Sequence, residues 1–309
     1  VPKPTVFIDG EAGTTGLQIR ERLAHAGDVE VRSIDPARRK DTEARRALMA
    51  EADLVVLCLP DAAAREAVAL ADELGVDAPK IVDASTAHRV ADGWVYGFAE
   101  LDDAQSQAIA SAQRVANPGC YPTGGIALLR PLVDAGLVPQ DYPVTVNAVS
   151  GYSGGGRSMI EAYEAGTSPV FELYGLDLSH KHLPELQAYS RLTRRPIFVP
   201  SVGNFRQGMV VSIPLHLDTL PGKPTPRDLE EKLAAHYNGS AFVRVVTDAD
   251  GKRTRLGVED LNDTDKLELF VFGSEAQRQA VLVARLDNLG KGAAGAAVQN
   301  IKLMLGLGA

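Results

Sequence analysis

The chain has 309 residues, 45% hydrophobic and 23% charged, enough to bury a large core and to form two domains of ordinary size. Its 32 basic residues against 40 acidic ones leave a formal charge of −8 without long single-sign blocks, which argues against nucleic acid as a partner. No apolar run approaches the roughly 20 residues of a membrane span, and the opening VPKPTVFIDG lacks the basic-then-apolar layout of a secretory signal, so a cytoplasmic location is expected.

In chain order, TVFIDG (5–10), VEVRSID (29–35), LVVLCLP (54–60) and KIVDAS (80–85) read as short strands separated by Ala- and Leu-rich helical stretches. This alternation predicts an α/β fold with a Rossmann-type parallel sheet, and a run such as LVVLCL suits a strand covered on both faces. After about residue 140 the runs VTVNAVSG, MVVSIPLHL, AFVRVVT and KLELFVFG, several of them alternating apolar with polar, predict an α+β domain with a mainly antiparallel sheet. TPRDLEEKLAAHYNG (225–239) reads as a helix with Pro226 near its start and Gly239 past its end. The final LGKGAAGAAVQNIKLMLGL is helical in period, and its small residues suit close packing back onto the first domain.

FIDGEAGTTGLQIRERL follows the first strand and opens a helix, spacing Gly10, Gly13 and Gly16 as G-x-x-G-x-x-G with Thr14 and Thr15 at the helix start. Glycines there permit a tight turn and close approach of a pyrophosphate to the amide end of the helix, a variant of the dinucleotide fingerprint. After the second strand, Asp35 would suit the ribose hydroxyl of NAD, whereas Ser33, Arg38 and Arg39 offer donors to the 2′-phosphate of NADP. The balance favours NADP(H).

Cys58 lies in an apolar run, but Cys120 stands between a Pro-Gly bend and YPTGG in VANPGCYPTGG. YPTGGIALLRPLVDAGL reads as a helix ending at Gly136, weakened or kinked by Gly124, Gly125 and Pro131. A thiol within a turn of that helix start feels its positive end and gains thiolate character. In SHKHLPEL, His180 and His182 are spaced to share a face of an extended strand, with Glu185 as an orienting carboxylate for acid/base work. The same three residues could ligate a metal, yet no further cluster completes a tetrahedral set, and no metal is expected. His25, His88, His216 and His236 read as packing or surface residues. Arg157 in SGYSGGGR and Arg206 in VGNFRQGM are candidates for an anionic substrate group, or for structural ion pairs.

Seven runs together resemble the N-acetyl-gamma-glutamyl-phosphate reductases of arginine biosynthesis, which belong with the aspartate-semialdehyde dehydrogenases. They are NPGCYPTG (117–124), GEAGTTG (10–16), CLPDAAARE (58–66), DASTAHR (83–89), YGFAEL (96–101), HKHLPEL (180–186) and DNLGKGAAGAAVQN (287–300). The glycine loop departs from the usual G-A-S-G-Y-T-G and YGFAEL from Y-G-L-P-E-L, and the length fits the short branch. The resemblance implies a Rossmann-type NADP-binding domain over 1–119, completed by a helix over 288–309, and a catalytic, substrate and oligomerisation domain over 120–287. It implies Cys120 as the nucleophile that expels phosphate from an acyl phosphate, NADPH as hydride donor, and N-acetylglutamate 5-semialdehyde as product. His180 matches the acid/base position, with His182 its competitor and Glu185 in support. Arg157 and Arg206 would lie near the substrate, Asn288 near the nicotinamide, and Ser85 on the cofactor's other side. A homo-oligomer, dimer or tetramer, is implied as well. An aspartate-semialdehyde dehydrogenase-like enzyme and a non-catalytic NADP-binding regulatory protein are the rival functions.

Overall fold

Strand β1 (Thr5–Asp9) opens a run of alternating elements in the computed structural model, which describes residues 2–247 and 253–308. Val1 and Ala309, at the outer ends of the expected domain ranges, lie outside the described residues. α1 (Thr14–Ala26), β2 (Glu30–Arg32), α2 (Thr42–Glu51), β3 (Leu54–Leu57), α3 (Asp61–Asp72), β4 (Lys80–Asp83), β5 (Val95–Tyr96), α4 (Gln105–Ser111) and β6 (Arg114–Ala116) follow. Among the described residues these strands form one parallel sheet of order β2-β1-β3-β4-β6-β5. Because side chains alternate along a strand, Val6, Ile8, Leu54 and Val56 enter one core with Ile19 and Leu23 of α1, while Phe7, Val55 and Leu57 enter another with Met49 of α2 and Ala64 of α3. That is why β3, LVVL, is apolar at every position and why β1 is apolar from Val6 to Ile8.

The chain continues through α5 (Cys120–Asp134), β7 (Thr145–Gly151), α6 (Arg157–Glu164), β8 (Phe171–Leu173), α7 (Leu183–Tyr189), β9 (Ile197–Gly203), β10 (Met209–His216), α8 (Pro226–His236), β11 (Val243–Val245), β12 (Leu267–Ser274), β13 (Gln279–Leu286) and α9 (Gly295–Met304). The second sheet has the order β11-β12-β13-β10-β7-β9-β8. Four of its pairings are antiparallel, as the alternating patterns predict, but β7·β9 and β11·β12 are parallel. α8 begins with a capping box in which Thr225 and Asp228 satisfy each other's backbone N–H groups.

The residues divide into two compact units, one of 1–99, 103–118 and 293–309, the other of 100–102 and 119–292. The chain thus re-enters the first unit at Ala293, five residues beyond the expected position 288. There α9 adds Ala297, Ile301 and Met304 to the core that holds Ile19 and Leu23, and the buried Asn300 donates to Gly97 O at 2.9 Å.

α5 runs unbroken from Cys120 to Asp134 with Pro131 inside it. A Cβ on Gly125 would stand 2.7 Å from Leu186 Cδ1 and one on Gly124 3.0 Å from Val211 Cγ2, so both glycines serve close packing against α7 and β10. Pro131 has no N–H for the carbonyl of Ala127, four residues back; the buried Tyr237 hydroxyl donates to that oxygen instead, at 2.9 Å.

Candidate active site

In the first unit, β1 runs into the glycine turn. Gly10 has φ +88°, and a Cβ there would lie 2.3 Å from Cys58 O, so sterics alone require glycine. A Cβ on Gly16 would fall 2.8 Å from Gly10 O. Gly13 donates its N–H to Gly10 O at 3.0 Å and stands at the N-cap of α1, which then begins with Thr14 and Thr15. Beside this turn is a cavity of about 810 Å³ whose lining includes Gly10, Glu11, Ala12, Ser33, Arg39 and Lys40.

Of the expected phosphate ligands, Ser33 and Arg39 reach this cavity and Arg38 does not. β2 ends at Arg32, and Arg38 donates Nε and Nη2 to Asp41 Oδ2 at 3.0 and 2.8 Å, a local pair that closes the turn ahead of α2. Asp35 accepts the Ala37 N–H at 2.9 Å, capping the same turn. Sequence reasoning missed Lys40, the next residue of the basic run, and Arg45, which also lines the cavity. Arg45 donates Nε and Nη2 to Asp9 Oδ2 at 3.0 and 2.6 Å. Burial raises the Asp9 carboxyl above its ordinary value, and Arg45 opposes the rise.

Ser85, expected to flank the cofactor, is buried beside Asp83. Its N–H and Oγ both donate to the buried Asp83 carboxylate at 2.8 Å, and it accepts the Ala87 N–H. His88 meets the same carboxylate at 2.6 Å through Nδ1 and stacks on Trp94 with centroids 4.2 Å apart. Asn117, also missed, ties the start of the NPGC run by donating its N–H to Asp83 O at 2.8 Å and Nδ2 to Ala293 O at 3.1 Å.

In the second unit Cys120 is the first residue of α5, with Gly119 as its extended N-cap. Glu185, expected to support a histidine, also braces the helix start: its buried Oε2 accepts the Gly119 N–H at 3.0 Å. A carboxylate is favoured at this amino end, where backbone N–H groups lack helical partners. The expected strand at 180–182 is absent as well. Both histidines lie in the turn that opens α7, where His180 Nδ1 accepts the His182 N–H at 3.2 Å and the ring centroids are 4.8 Å apart.

Tyr121, next to Cys120, meets His180 and His182 edge-on at 6.1 and 5.9 Å. The Tyr121 hydroxyl donates to Ser201 O at 3.0 Å and receives the Tyr174 hydroxyl at 3.0 Å. Burial raises both phenols, Tyr174 to about 12, so both stay protonated at neutral pH. His180 is half-buried, and desolvation pulls its pKa down to about 4, with Lys181 adding to the fall and Asp177 opposing it. The ring is therefore neutral, and acceptance at Nδ1 places its proton on Nε2.

Arg157 opens α6, and Arg206 pairs with Glu164 at 2.8 Å on the surface. Their loops lie against each other: Tyr152 and Ser153 donate N–H to Phe205 O and Arg206 O at 2.9 and 3.0 Å. Asn288 fastens this pairing, since Oδ1 accepts the Gly208 N–H at 2.8 Å and Nδ2 donates to Ser153 Oγ at 2.9 Å. The buried Asp287 adds the Asp263 N–H at 2.9 Å and Gln207 Nε2 at 2.6 Å. Asn288 thus ties two loops, a role sequence reasoning did not assign. Among the described residues no three of His, Cys, Asp and Glu converge in a way that could hold a metal.

A model of the semialdehyde dehydrogenase dimerisation domain matches residues 120–288, and one of the semialdehyde dehydrogenase NAD-binding domain matches residues 29–110. The N-acetyl-gamma-glutamyl-phosphate reductase of Chelativorans sp. (strain BNC1) is 54% identical over 305 residues, 97% of each chain. The chain belongs to the N-acetyl-gamma-glutamyl-phosphate reductase family. The reductase of Brucella ovis is 55% identical over 98% of this chain and 99% of its own. Aspartate semialdehyde dehydrogenase II of Vibrio cholerae, 15% identical with a TM-score of 0.73 over 99% of both chains, shares the fold. Within this reductase family member, three of the seven motif runs, YGFAEL, NPGCYPTG and DNLGKGAAGAAVQN, contain three of the four points where the chain passes between its units, 99/100, 118/119 and 292/293; the fourth, 102/103, follows just after YGFAEL.

Proposed function

We propose that this protein reduces N-acetylglutamyl 5-phosphate to N-acetylglutamate 5-semialdehyde with NADPH, releasing phosphate, as a step of arginine biosynthesis. The observation that carries this reading is the setting of Cys120: first residue of α5, behind a turn held by a buried carboxylate, beside a tyrosine that meets two histidines. The Cys120 thiolate attacks the acyl carbon, the C–O bond to phosphate breaks, and a thioester forms. NADPH, when bound, would supply the hydride that reduces this thioester. His180, neutral with its proton on Nε2, donates a hydrogen bond from that N–H to the thiohemiacetal oxygen and stabilises the negative charge that the hydride leaves there. As the oxyanion collapses to the aldehyde carbonyl, the C–S bond breaks and its electron pair returns to Cys120 as the thiolate. His182 and the Tyr121–Tyr174 pair enclose the thioester against water, and Arg157 and Arg206 bind the substrate's anionic groups.

The first unit is the NADP-binding domain in this scheme. Gly10, Gly13, Gly16, Thr14 and Thr15 cradle the pyrophosphate, and Ser33, Arg39 and Lys40 hold the 2′-phosphate. The cavity beside the glycine turn, with Arg20, Arg39, Lys40 and Arg45 on its lining, supports that assignment. The second unit is the catalytic domain, and the protein works in the cytoplasm as a homo-oligomer. Support for self-association comes from edge strand β8 and its flanks, where Val170, Phe171, Leu173 and Leu176 are exposed.

The reaction is tested in reverse: phosphate-dependent reduction of NADP by N-acetylglutamate semialdehyde against aspartate semialdehyde. Turnover confined to the first supports the proposal. Equal or greater turnover of the second overturns it.

A further inference from the structure

Lys291 is a buried charge for which the reaction scheme has no use. With 2% of its side chain exposed, its Nζ lies 2.7 Å from Glu100 Oε2 and 5.0 Å from the centroid of the Phe242 ring. Burial lowers the ammonium's pKa and Glu100 pulls it back up. Lys291 sits in a π-helical turn, Gly290–Ala294, a geometry that recurs at functional sites.

Both neighbours of Lys291 are glycines for steric reasons. A Cβ on Gly290 would lie 2.0 Å from Thr264 O, and one on Gly292 would lie 2.9 Å from Cys120 Cβ and 3.0 Å from Asp287 O. The bare backbone of Gly292 is therefore a wall against the Cys120 side chain. Glu100, at the other end of the pair, accepts at its backbone oxygen from His236 Nε2 at 3.3 Å. His236 ends α8, and the next residue, Tyr237, donates to Ala127 O on α5. The contacts close a circuit from Cys120 through Gly292, Lys291, Glu100, His236 and Tyr237 back to the helix that Cys120 begins.

We propose that Lys291 is a positioning residue for Cys120: its pair with Glu100 fixes the register of the 290–294 turn, so that Gly292 walls in the sulfur-bearing side chain. A charged hydrogen bond sets direction as well as distance, which an apolar contact in the same space does not. The inference rests on Cys120 as the nucleophile.

Steady-state kinetics and urea midpoints of Lys291→Met, Glu100→Leu/Lys291→Met and Gly292→Ala test it. Lys291→Met lowers kcat by about tenfold or more while KM for NADPH stays within about twofold, because the nucleotide cavity belongs to the other unit. The double variant, which leaves no lone buried charge, regains the wild-type urea midpoint but not kcat. Gly292→Ala, which leaves the charge pair intact, lowers kcat with the same NADPH KM. Recovery of kcat together with the urea midpoint in the double variant, or wild-type kcat in Gly292→Ala, overturns the inference. Wild-type turnover by Cys120→Ser would instead remove the underlying reading of the nucleophile, so the two failures are distinct.

Discussion

Glu185 accepts the N–H of Gly119 at 3.0 Å, so a buried acid on α7 holds the residue just ahead of Cys120. Removing the acceptor leaves a buried donor unsatisfied, at a cost of about 1–3 kcal/mol. Glu185→Ala is expected to lower the urea midpoint by that amount and to reduce kcat. Glu185→Gln keeps an oxygen in place and recovers most of both. Equal midpoints for Ala and wild type would contradict the contact.

His180 titrates near 4 rather than at its ordinary 6.5. Between these values the unfolded chain binds a proton that the folded chain refuses, so the neutral ring's contribution to stability is complete above pH 6.5 and is lost as pH falls toward 4. In urea midpoints measured against pH, His180→Asn should flatten that segment of the curve. Wild type and variant falling in parallel would rule the shift out. The acid limb of kcat should likewise lie nearer pH 4 than 6.5.

Arg39 and Lys40 line the cavity beside the glycine turn, whereas Arg38 pairs with Asp41. Arg39→Ala and Lys40→Ala should each raise KM for NADPH about 10- to 100-fold, the worth of a charge-assisted hydrogen bond, with little change for NADH. Arg38→Ala should leave the NADPH to NADH ratio near wild type. The reverse ranking would return Arg38 to the phosphate.

Asn288 joins Ser153 to Gly208, and with them the loops that carry Arg157 and Arg206. Asn288→Ala should raise KM for the acyl phosphate more than it changes KM for NADPH. A larger effect on NADPH would assign Asn288 to the cofactor, as the family resemblance implied.

What was legible in the sequence was local. The unbroken apolar run of β3 announced a strand covered on both faces, and Gly10 announced its turn because no other residue fits against Cys58. The missed features join distant positions: Gly119 and Glu185 are 66 residues apart, Ser153 and Asn288 are 135 apart, and Ala127 and Tyr237 are 110 apart. Pro131 read as weakening or kinking the helix, and nothing near it in sequence shows that Tyr237 donates to the carbonyl it leaves without a partner. Arg38 has a local partner, the acid three residues on, which the pattern of basic residues alone did not bring out.

The central claim is that the Cys120 sulfur carries the acyl group. Intact-protein and peptide mass spectrometry after mixing with N-acetylglutamyl 5-phosphate in the absence of NADPH tests it most directly. The account predicts one N-acetylglutamyl group on the Cys120 peptide, discharged by NADPH, and none in Cys120→Ala. An unmodified Cys120 together with a turnover-competent Cys120→Ala would contradict it.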